Sequence, residues 1–470
     1  MKILYASSEA LPFIASGGLA DVAGSLPKAL RNKKIACRVV VPYYSTIPEE
    51  MKQKCRFLKS FNVSLAWREQ YCGVYTANID GVVYYLLDNE YYFSRGRLYG
   101  EFDDGERFAF FSKAVLELIR QVDFVPDIIH CNDWQTGLVP IFLNALYRGE
   151  ERYRFIKTVF TIHNIQYQGQ FPYFFYDDVL GLPKEYKRIV DYNGGVNVLK
   201  GAMQEADRIT TVSESYAREI TTAEYAYGLE NFINDNSFKL RGIVNGLDIK
   251  HYNPREDMAI TKTFSEKTLA DKEINKKALC ESFSIPYEEG VPVIAMVTRL
   301  VAPKGMDTVL SSFEELMNRN VKFILLGSGD EHYENFFRDM QKKYPDKVGV
   351  FIGFSPKTAK AVYAGADIFL MPSLSEPCGL AQLVALRYGT IPIVHEAGGL
   401  RDTVKDYTTE GGNGFSFKDT DKGALLWAMD NAVATYHKKD EWKKLQIGAM
   451  TADYSWNKSA DKYIEVYKEI

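Results

Sequence analysis

Short runs rich in Val, Ile and Leu recur along the chain, separated by longer stretches whose apolar residues fall three and four apart. In the first half the short runs read as strands at Lys2–Tyr5, Ala36–Val41, Asp127–His130, Thr158–Thr161, Arg208–Val212 and Leu240–Val244. The helical pattern between them includes Gly18–Lys28, Glu106–Gln121 and Ser215–Thr221. Short apolar strands fed through helices predict a mainly parallel sheet covered on both faces. Phe57–Leu87 differs, with polar and apolar residues alternating in places and a turn at Asp80-Gly81, which predicts antiparallel strands.

A second series starts after Asn245-Gly246. Its strands are Val293–Val297, Lys322–Leu325, Val348–Phe351, Ile368–Met371 and Ile391–Val394, with helices at Asp307–Asn318, Thr358–Ala364 and Ala381–Tyr388. The fold class is therefore α/β, in two domains, 1–245 and 246–452. Ligands of such sheets bind outside the carboxyl ends of the strands, and two of them are expected to face across a deep cleft. Residues 257–289 carry Lys267, Lys272, Lys276 and Lys277 interleaved with Glu and Asp, and read as a solvated helical face.

At 470 residues the chain exceeds one ordinary core, which suits the two series. A formal net charge of -4 provides no bulk attraction to nucleic acid or anionic lipid, so neither partner is expected. The opening MKILYASSEALPF reads as a first strand rather than a leader, and no long apolar stretch suggests a membrane span. Six scattered cysteines suit a reducing, cytoplasmic setting. With no HExxH pattern among the histidines, no metal site is expected.

Candidate chemistry gathers at predicted strand ends. Gly17 and Gly18, in Ala15-Ser16-Gly17-Gly18-Leu19, follow the first strand and open a helix, where backbone amides can meet phosphate; a packing turn fits equally. Arg299 and Lys304 follow the first strand of the second series and suit a diphosphate, although alone they read as surface cations. Glu376, Gly379 and Leu380 follow the strand Ile368–Met371, where an acid and free amides can face a sugar, a nucleoside hydroxyl or phosphate. Cys378 reads as a small buried filler. In the first series Asp133 suits sugar hydroxyls or a helix N-cap, and His163 suits the transferred sugar or the reacting phosphate face.

These segments resemble the family of bacterial glycogen synthases and plant starch synthases over essentially the whole chain. The resemblance rests on SSEALPF, SGGLADVAGSLPKAL, HCNDWQTGLVP, TIHNIQYQG, RLVAPKGMD, MPSLSEPCGLAQL, YGTIPIVHEAGGLRDTV and the terminal DYSWNKSADKYIEVY. It implies two Rossmann-like domains of the GT-B type, ADP-glucose as donor, an α-1,4-glucan acceptor extended at its non-reducing end, retention of configuration and no cofactor. By position it assigns Arg299 and Lys304 to the diphosphate and Glu376 to the transfer step. Asp133 and His163 fall around the transferred glucose, and Phe354 where an adenine-stacking Tyr is usual. It also implies that a helix after about residue 453 returns to the first domain. Two positions depart from the family: Ala15 stands where Lys is usual and His395 where Arg is usual, which puts donor affinity and preference in question. A related retaining enzyme using UDP-glucose or another acceptor, or a glucan-binding paralogue of low activity, remains the alternative, and a homo-oligomer is admitted.

Overall fold

A computed structural model describes residues 1–470. The chain folds as two compact units, Met1–Gly246 with Trp456–Ile470, and Leu247–Ser455.

The first unit is built on β1 (Lys2–Ala6), β2 (Ala36–Pro42), β3 (Arg56–Leu65), β4 (Arg68–Ile79), β5 (Val82–Asp88), β6 (Ile128–Asn132) and β7 (Lys157–Ile162). Short strands β8 (Gln170–Pro172), β9 (Asp191–Tyr192) and β10 (Gly195–Asn197), unforeseen from sequence, form a separate small sheet. β11 (Arg208–Thr211) and β12 (Leu240–Gly242) complete the main sheet, in the order β12-β11-β7-β6-β1-β2-β5-β4-β3. It is parallel from β12 to β5 and antiparallel across β5, β4 and β3. Asp80 and Gly81 both have positive φ, as a tight hairpin turn requires. The helix Gly18–Asn32 runs four residues beyond its predicted end. Helix Trp456–Lys468 packs against it, and Lys33 pairs with Asp461 at 2.7 Å.

The second unit holds one six-stranded parallel sheet: β13 (Val293–Val297), β14 (Lys322–Gly327), β15 (Val348–Ile352), β16 (Ile368–Met371), β17 (Ile391–His395) and β18 (Phe415–Phe417), ordered β15-β14-β13-β16-β17-β18. Ile294, Phe323, Leu325, Ile368 and Phe369 are fully enclosed, so both faces are covered and the strands read as continuous apolar runs. No helix is long and apolar enough to cross a membrane.

One device recurs at the amino ends of the strands. Asp127, Asp207 and Asp367 each stand just before a strand, and each carboxylate accepts an N–H from the first or second residue of a neighbouring strand: Lys2 (2.7 Å), Thr158 (2.9 Å) and Val293 (2.8 Å). Each bond fixes register where the ladder has not yet begun.

The expected solvated face at 257–289 is wrong in its centre. The α-helix there covers only Lys272–Ser282. Lys267 and Lys277 are exposed, but Lys272 and Lys276 are buried. Lys276 pairs with Asp367 at 2.8 Å and donates to Tyr436 Oη. Lys272 Nζ lies within 3.2 Å of the carbonyls of Tyr363, Ala364 and Tyr388 and of Thr390 Oγ1, filling acceptors that two helices leave open at their carboxyl ends. Charge spacing along a sequence does not distinguish a lysine in water from one threaded through a core on its long stem.

Removing Lys276 strands a buried carboxylate. Lys276→Met is expected to cost about 3–5 kcal/mol in urea unfolding. Adding Asp367→Asn, which keeps an acceptor for Val293 N–H, should recover most of it. A loss no larger than that of an ordinary surface substitution would show that the pair does not hold the sheet.

Candidate functional site

Arg299, Lys304 and Glu376 in the second unit, and Gly17, Gly18 and Asp133 in the first, lie on connections leaving the strands where the strand order reverses. In the second unit β13 is followed on one side by β14 and β15 and on the other by β16, β17 and β18. Connections leaving β13 and β16 therefore diverge and leave a crevice at their carboxyl ends. Arg299 and Lys304 follow β13 there, and Glu376 follows β16. Gly305 has φ 74, and a Cβ on it would sit 2.0 Å from Pro372 O, so only glycine lets the two connections approach. That approach brings Lys304 Nζ to 2.6 Å from Glu376 Oε2. Ser373 Oγ donates to the same oxygen at 3.1 Å, so both bonds fall on Oε2 and Oε1 keeps its lone pairs. Glu376 itself is buried.

Arg299 is exposed and its guanidinium is engaged by no protein group. Phe354, between β15 and the helix Pro356–Gly365, is 82% exposed, an uncovered aromatic face. Gly379 (φ 75) and Leu380 lead into the helix Ala381–Arg387, and Cys378 is a buried filler as expected. His395, at the end of β17, faces the carbonyls of Ser373 and Lys418.

In the first unit the reversal lies between β1 and β6. Asn132 ends β6, and its amide nitrogen donates to Ala6 O at 2.9 Å, which makes Oδ1 the acceptor. That oxygen receives Tyr5 Oη and His163 Nε2, each at 2.9 Å. His163 therefore carries its proton on Nε2. Burial holds its imidazole neutral, pushed down to about 3, and Nδ1 is left as an acceptor. An acceptor suits a sugar hydroxyl and not a phosphate oxygen, which narrows the sequence expectation.

Asp133 stands at the N-cap position of the short 3-10 helix Trp134–Thr136, but its side chain makes no capping bond. Its Oδ1 accepts His163 N–H across the crevice at 2.7 Å, and its backbone sits at φ 54, ψ 176, a region normally left to glycine. Burial pushes its carboxyl up to about 7. Glu9, three residues past β1, has the same character. It is buried and raised to about 7 by desolvation, and its Oε2 accepts Ser16 N–H at 2.5 Å. Glu9 thus underlies the glycine loop, while Gly17 above it is exposed, extended (φ -167) and touched by no protein atom within 4 Å of where a Cβ would be.

The structure thus joins Lys304 to Glu376 and Asp133 to His163. It leaves Arg299, Phe354 and Gly17 open to solvent. Sequence reasoning missed Glu9, Asn132 and Ser373. Their one signal is that each is a polar residue at, or within three of, a strand's carboxyl end.

Opposed titrations predict a distinctive pH response. Glu9 and Asp133 are raised to about 7, so from about pH 4 upward the folded state holds protons that the unfolded chain has lost, and stability falls as pH rises to 7. His130 and His163 are lowered to about 3 by burial, so below their ordinary value the unfolded chain holds the extra protons, and stability rises with pH. The two pairs cancel through the weakly acidic range. In the variant Glu9→Gln/Asp133→Asn the histidines are unopposed. Its stability relative to wild type should fall on acidification by up to about 1.4 kcal/mol per pH unit for each acid removed. Parallel stability curves from urea titrations across this range would refute the assignment.

Comparison with known proteins identifies the family. The starch synthase catalytic domain family matches residues 2–235, and the glycosyl transferases group 1 family matches residues 281–446. The glycogen synthases of Geobacillus thermodenitrificans and Clostridium perfringens are each 48% identical over 474 aligned residues, covering 100% of this chain and 98% of theirs. The catalytic domain of starch synthase IV from Arabidopsis thaliana, solved bound to ADP and acarbose, superposes with a TM-score of 0.92 at 32% identity, covering 100% of this chain and 99% of that one. A sucrose-phosphate synthase from Thermosynechococcus elongatus shares the fold alone, with a TM-score of 0.63 at 16% identity. Together with the two parallel α/β units, these matches place the chain in the glycogen synthase and starch synthase family of GT-B glycosyltransferases.

Proposed function

We propose that the chain transfers glucose from ADP-glucose to the non-reducing end of an α-1,4-glucan with retention of configuration. The observation that carries this reading is the Lys304–Glu376–Ser373 cluster beside an uncommitted Arg299. A sugar nucleotide needs cations at its diphosphate and an acid near its sugar. Lys304 spends one N–H on Glu376 and keeps two for a phosphate oxygen. Arg299 offers a planar fork to the same diphosphate, and together they offset the charge that grows as the nucleotide leaves. Phe354 supplies a face for the adenine, and the amides at Gly379 and Leu380 suit sugar or phosphate oxygens. In the first unit Asp133 and His163 Nδ1 present acceptors to sugar hydroxyls, and the empty space over Gly17 admits a ligand where a side chain would intrude.

In the transfer the bond from C1 to the phosphate oxygen breaks as the bond from C1 to the acceptor O4 forms on the same face. The proton of the 4-hydroxyl passes to the departing phosphate oxygen. Glu376 stabilises positive charge at the sugar without bonding to C1. Arg299 and Lys304 supply the charge that the leaving group needs, so the reaction as read requires no metal and no cofactor.

Nucleoside diphosphate release should require both ADP-glucose and glycogen, and UDP-glucose should be a poor substitute. Equal or faster release from UDP-glucose would favour the alternative donor, and glycogen binding without release would favour a binding paralogue. Glu376→Gln should lower kcat on the order of 10²-fold or more with little change in donor KM. Unchanged turnover would remove Glu376 from the transfer step. Ala15→Lys should lower donor KM if a cation beside the glycine loop limits donor binding, and an unchanged KM would show that it does not.

A further inference from the structure

His395 is buried beside Phe417, with its ring between two main-chain carbonyls. Nδ1 lies 2.8 Å from Ser373 O and Nε2 lies 2.9 Å from Lys418 O. A carbonyl oxygen can only accept a hydrogen bond. A neutral imidazole has one N–H, so it satisfies one carbonyl and turns a lone pair on the other. Only the imidazolium, with two N–H groups, makes both bonds. Ser373 is the residue whose Oγ donates to Glu376 Oε2, so the ring fastens the backbone that aims this carboxylate and ties it to the segment leaving β18.

We propose that His395 is a positioning residue for Glu376, that it does this work as an imidazolium, and that turnover follows its proton. The proposal rests on the reading of Glu376 given above. The charged groups linked to the ring are few. Glu376, reached through Ser373, is already paired with Lys304. Glu396, the next residue, accepts Ser416 Oγ at 3.0 Å and lies 3.8 Å from Arg401. Lys418 contributes its carbonyl while its side chain, like that of Asp419, is exposed. The ring therefore forms no direct ion pair, and both its hydrogen-bond partners are main-chain carbonyls. When the proton leaves, a lone pair faces an oxygen at hydrogen-bond distance. The two repel, Ser373 shifts, and its Oγ bond to Glu376 weakens. An arginine in this place would hold several N–H groups at any pH in the working range. Histidine makes the same brace conditional on protonation.

The test has two independent parts. First, kcat and donor KM are measured from weakly acidic to weakly alkaline pH for wild type, His395→Arg and His395→Asn. Wild-type kcat should decline about tenfold or more on the alkaline side with the loss of one proton, while KM changes little. His395→Arg should remove that decline, and His395→Asn should be low throughout. An identical alkaline decline in wild type and His395→Arg, or full activity of His395→Asn, would overturn the proposal. Second, the ring nitrogens of wild-type protein labelled with ¹⁵N-histidine are observed directly by NMR. Both nitrogens of His395 should carry protons at the pH of maximal kcat, and a neutral ring there would overturn the proposal whatever the variants do. A doubly protonated ring together with an unimpaired Glu376→Gln would instead sink the reading of Glu376.

Discussion

A parallel sheet covered on both faces has only its two ends in which to keep polar groups, and this constraint organises both units. At the amino ends the need is register. Asp127, Asp207 and Asp367 meet it by taking an N–H at the start of an adjacent strand, and the buried Lys276 neutralises the carboxylate of Asp367. At the carboxyl ends strand connections diverge wherever the order reverses. There polar groups gather on the connections: Arg299, Lys304 and Glu376 in one unit, Asp133 and His163 in the other. The same physics that locks one end of the sheet leaves the other end available for chemistry.

Legibility follows from the range of the interaction involved. Strand and hairpin positions depend on side-chain period and turn chemistry within a few residues, so the parallel strands and the Asp80-Gly81 turn were readable. The short strands β8 to β10 lack enough residues for a period to show. The places of Lys304 and Glu376 on the connections leaving two strands were readable because position relative to a strand is local. Their mutual ion pair was not, because it depends on Gly305 letting two connections meet. Lys272 and Lys276 were misread for a similar reason. Whether an amine is solvated depends on carbonyls and a carboxylate that lie about a hundred residues away in the chain.

The site is also where the fold accepts unfavourable local terms. Asp133 adopts a backbone conformation that costs a non-glycine residue about 1–3 kcal/mol, and desolvation raises its carboxyl to about 7. Glu9 is buried in the same way, and His163 is held neutral. Each of these groups still has a partner that fixes its orientation: His163 N–H for Asp133, Ser16 N–H for Glu9, Asn132 for His163. Preorganisation of this kind puts the desolvation cost into folding, so that it is not met again when a ligand arrives.

Glycines separate the two kinds of demand. Gly305 is required by the protein itself, since its φ is positive and a Cβ would strike Pro372. Gly399 is likewise required, because a Cβ would lie 2.3 Å from Cys378 O. Gly17 meets neither condition: its backbone is extended and the space beside it is empty. The fold itself therefore tolerates a small side chain there, and nothing within the unit requires glycine at that point. Ala15, two residues earlier and exposed, adds no charge to that loop, while the carboxylate of Glu9 beneath it already takes the Ser16 amide. The glycine loop of the first unit therefore offers shape more than charge, whereas the second unit carries the cations Arg299 and Lys304 on the connection leaving β13.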